Sequence, residues 1–395
     1  MKICLINNLY KPYNRGGAEN IVELIAQGLT KSGHDVFIIS TKPIVSRSEI
    51  QDQKSKIYFI PSLFFDLNKL PKPLRLPWHL IDMFDIGSYL KIKKILKKEK
   101  PDVVMTHNLK GVSYLIPHLI RKLKIKHTHT LHDIQLIHPS GLMLCGKEKK
   151  INGALTKLYS SLCQALFGSP EAVISPSKWL LETHINKNFF PQSKKIILPN
   201  PVPNIPNFDR KEPGGAFRLL YVGQIEKHKG IFFLLKAFEA LVGQAGQKNL
   251  ALALVGSGSK LKQARKKSLA NKRIKFLGRQ EKENALKEMA RSDCLVLPSL
   301  CYENSPTVIY EAASIGLPVI ASRLGGTIEL VHELGGLLFN PKSEGDLMYQ
   351  MKWATDNPDE MQKISRRQKN KINKFNLDKY INRLLRFNGQ KWLVK

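Results

Sequence analysis

Residues 293–322 read D-C-L-V-L-P-S-L-C-Y-E-N-S-P-T-V-I-Y-E-A-A-S-I-G-L-P-V-I-A-S. Two short apolar runs, D-C-L-V-L-P-S and P-V-I-A-S, have the length and composition of buried strands. Between them Ser305 is placed to cap a helix, Pro306 to occupy its first position, and Gly316 with Pro318 to end it. A strand, a helix and a second strand in this order form the repeating unit of a parallel sheet wrapped by helices. Glu303 then falls in the loop before the helix and Glu311 about a turn and a half inside it. Both flank a helix N-terminus, where N–H groups without helical partners and the backbone dipole favour an anion such as phosphate. Carboxylates there can also accept hydrogen bonds from the vicinal hydroxyls of ribose and hexose rings. The competing reading is two solvated surface charges.

The same alternation continues outward in both directions. Before the linker, K-I-C-L-I-N, D-V-F-I-I-S, D-V-V-M-T-H, K-H-T-H-T-L and A-V-I-S-P-S read as strands. After it, F-R-L-L-Y-V-G, N-L-A-L-A-L-V-G and R-I-K-F-L-G precede the two already quoted. The linker is the proline-rich stretch from Pro199 to Gly215, which excludes regular structure. The expected fold class is therefore α/β, with two doubly wound, Rossmann-like domains facing across a cleft. Their expected bounds are residues 1–205 and 206–375, with 376–395 forming a C-terminal helix that packs back on the first domain. Ligands in such sheets bind at the carboxyl ends of the strands. The segment from Ile60 to Phe84, rich in proline, is expected to be irregular.

The 395 residues carry 63 basic and 32 acidic side chains, a formal net charge of +31. The excess is shared about equally between the two halves, so the whole surface is held at positive potential. Phosphorylated substrates, anionic lipid headgroups and nucleic acid are all compatible with it. No recognised nucleic-acid module is present, which argues against the last. No run of apolar residues is long enough for a transmembrane helix, and M-K-I-C-L-I-N-N reads as a first strand, not a signal peptide. The five cysteines lack C-x-x-C spacing, as expected of reduced thiols in the cytoplasm.

Several motifs agree in order with one family. The stretch from Asp293 to Glu329, with two glutamates separated by seven residues and followed by G-L-P-V-I-A and G-G-T-I-E, resembles the retaining GT-B glycosyltransferases of glycosyltransferase family four. Further matches are R15-G-G-A-E19, T130-L-H-D133, V222-G-Q-I-E-K-H-K-G230, V255-G-S-G258 and G336-L-L-F339. The resemblance implies that Glu311 binds the ribose of a nucleotide sugar and that Glu303 contacts the transferred sugar. It implies that backbone N–H groups of Asn304, Ser305 and Thr307 face sugar and diphosphate, and that Lys229 holds the diphosphate. Gly223 and Gln224 belong to the same donor loop, but relatives often carry arginine where Gln224 stands. A neutral amide makes the weaker bond to phosphate, so Lys227, His228 or Arg279 would have to compensate.

In the first half, Gly16 and Gly17 are expected directly after the first strand, opening the next helix, where they let an acceptor or donor phosphate approach the backbone; they are counted as donor-binding. Arg15 adds a charge there and is a candidate acceptor contact. His127, His129 and His132 cluster near Asp133. Alternation puts the first two on one strand face and His132 beyond its end, which disfavours a metal site. The resemblance instead makes His132 a catalytic or acceptor-orienting residue. The sequence has no D-x-D, so transfer without a metal is the expectation, with cationic side chains and the helix dipole in its place. No cofactor is implied beyond the nucleotide sugar as co-substrate.

The expected activity is retaining transfer of a hexose from a UDP- or GDP-sugar to a growing cell-envelope polysaccharide or lipid-linked glycan. The expected location is the cytoplasmic face of the membrane. The basic surface, the stretch L90-K-I-K-K-I-L-K-K-E-K100 and the aromatic-basic loop around Phe64, Phe65 and Trp78 motivate an anionic membrane partner. The alternatives are a soluble transferase acting on a small sugar or sugar phosphate, and a catalytically weak nucleotide-sugar-binding homologue.

Overall fold

The computed structural model describes residues 1–14, 16–44, 56–71, 74–203, 205–206, 208, 215–243 and 249–389. The chain divides into two compact units. The first comprises Met1–Leu142, Lys149–Pro201 and the segment beginning at Leu377; the second comprises Met143–Glu148 and Val202–Asn376.

The first unit is built on seven parallel strands: β1 (Lys2–Ile6), β2 (Asp35–Lys42), β3 (Lys56–Pro61), β4 (Val103–Thr106), β5 (Lys126–Thr130), β6 (Ala172–Ser175) and β7 (Lys194–Ile197). Their order is β3-β2-β1-β4-β5-β6-β7, so the winding direction reverses between β1 and β4. The second unit has β8 (Phe217–Val222), β9 (Leu250–Val255), β10 (Ile274–Gly278), β11 (Cys294–Leu297), β12 (Val319–Ser322) and β13 (Leu337–Phe339). These run in the order β10-β9-β8-β11-β12-β13, all parallel, and reverse between β8 and β11. Both sheets are doubly wound, as the alternation of strand and helix patterns requires.

Continuous apolar strands arise because both faces are covered. In the second sheet Leu220, Leu295, Leu297, Val319 and Ala321 enter one core cluster. Their chain neighbours Leu219, Tyr221, Cys294, Val296 and Ile320 enter the other, on the opposite face. In the first unit Ile3, Leu5, Val36, Ile38, Val103 and Met105 pack with the helix Gly17–Lys31 and with Tyr380, Ile381 and Leu384 of the last helix, Leu377–Gly389. A Cβ at Gly28 would lie 2.6 Å from Ile381, so glycine permits that helix contact.

Sequence reading missed β3, β7 and β13 as strands. All three are sheet-edge strands, partly solvated, and lack the buried run that marks a central strand. The expectation of irregularity over Ile60–Phe84 is corrected: it holds the end of β3, a 3₁₀ segment Leu63–Lys69 and a helix Arg75–Met83. Pro77 sits in the first turn of that helix, where its missing N–H costs nothing. Trp78 is buried and packs near Phe64, whose ring also meets Phe65 edge-on. Trp78 is therefore core and Phe64 and Phe65 are half-buried, whereas Phe84, just past the helix, is exposed.

Candidate functional site

In the second unit the site is assembled by loops at the carboxyl ends of β8, β9, β11 and β12. The loop after β8 contains a 3₁₀ turn, Lys227–Lys229, closed by Gly230 at φ 75°. A Cβ at Gly230 would lie 1.7 Å from the Pro298 carbonyl oxygen, so only glycine lets this turn abut the loop after β11. The Leu300 N–H donates to the His228 carbonyl at 2.9 Å and ties the two loops together. Beside them the β8 and β9 loops meet backbone to backbone: Ile225 N–H donates to Ser257 O at 2.9 Å, and Ser259 Oγ to Glu226 at 2.8 Å.

This stitching brings Lys229 Nζ to 2.6 Å from Glu303 Oε1. Ser299 Oγ donates to the same oxygen at 2.8 Å. The two side chains keep 26% and 18% of their surface exposed, enough for a ligand to reach them. Burial alone would push the Glu303 carboxyl up, but Lys229 and Ser299 hold it below the usual range. Burial would likewise lower the Lys229 ammonium, and Glu303 reverses that shift. Both groups are therefore charged at neutral pH. The Glu303 carbonyl accepts from Gly326 N–H at 2.9 Å, which adds the loop after β12.

The helix after Glu303 runs Thr307–Ile315. It ends at Gly316, φ 78°, as its sequence requires, but it begins one residue later than the Ser-Pro signal predicts. Ser305 Oγ pairs with Tyr310 Oη at 2.7 Å and is not the cap; no side chain caps this end. Ile309 N–H donates to the Pro306 carbonyl at 3.1 Å, while the N–H groups of Thr307 and Val308 come before any helical acceptor, so this end keeps its partial positive charge. Thr307 is its first residue, with Asn304 and Ser305 just before it. Glu311, half-buried, makes no hydrogen bond among the described residues. Burial raises its pKa, against the opposing field of Lys282.

Other expected donor residues are arranged less closely. Gln224 and Lys227 are exposed on the β8 loop, and the Gln224 carbonyl accepts from Tyr221 Oη at 2.6 Å. Gly223 leads that loop, its N–H donating to Val255 O at 3.0 Å. Arg279 is exposed beyond the edge strand β10, two strands away from β8, and joins none of these bonds.

In the first unit, Gly16 and Gly17 begin the helix Gly17–Lys31 but lie ten residues beyond β1, not directly after it, because a loop intervenes; Gly16 N–H donates to Glu19 Oε2 at 2.9 Å. Arg15 lies outside the described residues. His132 follows β5, and its Nε2 is 2.9 Å from Nδ1 of His107, which follows β4. Burial drives both imidazoles down, His132 to about 4, so both are neutral. His127 and His129 share one face, as alternation requires: Thr106 Oγ1 lies 2.7 Å from His127 Nε2 and 2.9 Å from His129 Nδ1. Asp133 accepts from Gln135 N–H at 2.6 Å and is pushed up to about 6 by burial.

Three participants escaped sequence reading. Ser299 and His107 lie one or two residues past strand ends, a position that could have flagged them. The third is Met143–Glu148, which leaves the first half of the chain to join the second unit. Leu144 bridges Cys301 antiparallel, Cys145 N–H donates to Leu300 O, and Tyr302 N–H donates to Met143 O, both at 2.9 Å. Tyr302 Oη then donates to Glu148 at 3.1 Å. This short strap braces the residues immediately before Glu303. No local pattern announces a pairing across more than 150 positions.

Comparison with known proteins accords with this arrangement. Residues 206–371 match the glycosyl transferases group 1 model, and residues 15–204 match Glycosyltransferase Family 4. An uncharacterised 42.6 kDa protein in the cps region of Klebsiella pneumoniae is 27% identical over 86% of this chain and 90% of its own length. The Escherichia coli UDP-Gal:alpha-D-GlcNAc-diphosphoundecaprenol alpha-1,3-galactosyltransferase is 25% identical over 84% of this chain and 83% of its own. Anabaena Alr3699/HepE, solved in complex with UDP, superposes with a TM-score of 0.72 at 16% identity, covering 98% of this chain and 99% of that one. With both of its halves matched and both of its sheets wound in this way, the chain belongs to glycosyltransferase family four and has the GT-B fold.

Proposed function

We propose that the protein moves a hexose from a UDP- or GDP-sugar to a growing cell-envelope polysaccharide or lipid-linked glycan, with retention of anomeric configuration and without a metal. The observation that carries this reading is the Lys229–Glu303 pair beside an uncapped helix N-terminus, with Glu311 unpaired in the second turn. Lys229 and the first-turn N–H groups supply positive charge for a diphosphate, whose departure is the main electrostatic demand of the reaction. Asn304, Ser305 and Thr307 line that end. Glu311 accepts the two ribose hydroxyls, and Glu303 a hydroxyl of the transferred sugar. Gly223 and Gln224 border the donor, with Arg279 as a more distant cation.

We assign the donor to the second unit, count Gly16 and Gly17 among the donor-binding residues, and assign acceptor reading to Arg15 and His132 of the first unit. His132, kept neutral by burial, orients a hydroxyl by hydrogen bonding. Retention follows from attack on the face that the diphosphate leaves, with the departing phosphate taking the acceptor proton. The acceptor class is supported by relatives: one lies in a cps region, and the name of another specifies a diphosphoundecaprenol-linked sugar. An acceptor of that kind places the enzyme at the cytoplasmic face of the membrane.

A panel of UDP- and GDP-sugars tests this reading, scored by thermal shift and by transfer to a polyprenyl-diphosphate-linked sugar. One nucleotide series should stabilise the protein and support transfer. Stabilisation by none of them would overturn it.

A further inference from the structure

Two consecutive helices of the first unit, Arg75–Met83 and Ile86–Glu99, turn an apolar face outward. In the first, Trp78, Asp82 and Met83 point inward, while Pro77, Leu80, Ile81 and Phe84 are exposed at i, i+3, i+4 and i+7 spacing. That periodicity normally marks the buried side of a helix; here it marks the solvated one. In the second, Ser88, Ile92, Leu96 and Glu99 are buried, and the opposite line runs Ile86, Leu90, Lys94, Lys97. Ile81, Ile86 and Leu90 are 64%, 63% and 55% exposed. Lys91 and Lys98, also exposed, flank this line.

The charge pattern selects the partner. Every acid between Leu80 and Lys100 is turned to an internal task. Asp82 is buried and accepts from Gly111 N–H at 2.8 Å. Asp85 caps the second helix through Ser88 N–H at 3.0 Å. Glu99 pairs with Lys2 and Lys56, both at 2.7 Å. Among the described residues none of Lys91, Lys94, Lys97 and Lys98 forms an ion pair. The outer face therefore joins an apolar tip to a cationic stripe without counter-charge. A second copy of the same face would set lysines against lysines, whereas an anionic bilayer satisfies both parts. Neither helix is long and apolar enough to cross a membrane, so the contact is shallow.

We propose that this outer face docks the protein on anionic lipid, with Ile81, Phe84, Ile86 and Leu90 entering the headgroup boundary and Lys91, Lys94, Lys97 and Lys98 lying over the headgroups. The surface belongs to the first unit and Lys229 and Glu303 to the second, and vesicle binding needs no catalysis, so it stands or falls independently of the proposed reaction.

Flotation of the full chain with vesicles tests it. The protein should float with phosphatidylglycerol-containing vesicles at low salt, much less at high salt, and not with pure phosphatidylcholine. The pairs I81E/I86E and K94E/K97E should each cut bound protein at least tenfold while leaving circular dichroism and nucleotide binding unchanged. The conservative I81V/I86V pair should float like the wild type. An unbound wild type, or I81E/I86E floating normally, would overturn the proposal. So would sedimentation showing that I81E/I86E abolishes a dimer and leaves flotation intact, because the face would then belong to a second copy.

Discussion

Lys229 and Glu303 meet at 2.6 Å although 74 positions separate them, because their strands, β8 and β11, are neighbours where the winding of the second sheet reverses. The contact leaves each group charged, and each is spared the cost of sitting half-buried alone. An anion arriving at Lys229 competes with Glu303 for the ammonium, and a sugar hydroxyl can then satisfy the carboxylate.

Replacing Lys229 by methionine should remove the cation facing the diphosphate and free Glu303 from its partner. We expect kcat to fall by about 100-fold to 1,000-fold, the usual loss when one stabilising donor is removed, with circular dichroism unchanged. Glu303→Gln, which keeps shape and loses charge, should act mainly on kcat and less on nucleotide affinity. Steady-state kinetics on both variants distinguishes the roles.

Glu311→Ala should weaken nucleoside diphosphate binding by about tenfold or more, the worth of a charge-assisted pair of hydrogen bonds. Calorimetry with free UDP and GDP measures it without any acceptor. Burial raises the Glu311 pKa, so the carboxylate protonates at a higher pH than an ordinary glutamate. Affinity should fall on the acid side sooner than unshifted carboxylates would allow. An affinity unchanged in Glu311→Ala would remove this residue from the donor site.

Gly256→Ala and Gly33→Ala should differ sharply, although both glycines have positive φ, 142° and 81°. A Cβ at Gly256 would lie 1.8 Å from the Gly223 carbonyl oxygen, whereas at Gly33 nothing lies within 4 Å. Gly33→Ala should cost about 1–2 kcal/mol for its backbone conformation alone. Gly256→Ala should cost more than about 3 kcal/mol or prevent soluble expression, because two backbones must separate. Thermal melts of the two variants compare them directly.

Asp82 gives stability a pH dependence of defined sign. Burial raises its carboxyl to about 7 from an ordinary value of 3.8. Between those pH values the folded state holds a proton that the unfolded chain has released, so stability falls as pH rises, by at most about 1.4 kcal/mol per pH unit. Asp82→Asn keeps an oxygen to accept from Gly111 N–H and removes the titration. The variant should lose this slope and be more stable than wild type at pH 8, measured by urea unfolding across that range.

What the amino-acid sequence determined by itself is local. Runs such as C-L-V-L and V-I-A-S are strands because both faces of their sheet are buried, and Gly316 ends its helix because only that backbone turns left-handed at low cost. The spacing of Glu303 and Glu311 was legible for the same reason: one strand, one loop and one helix contain it. Tertiary structure decided the rest. Edge strands β3, β7 and β13 lack the buried run that periodicity detects. Trp78, among lysines in the sequence, is core because one face of its helix turns inward and leaves Ile81 and Phe84 outside. Lys229 with Glu303, His107 with His132, and Leu144 with Cys301 are contacts between loops. Such contacts depend on which strands lie side by side, and strand order is a property of the folded sheet that no short stretch of sequence carries.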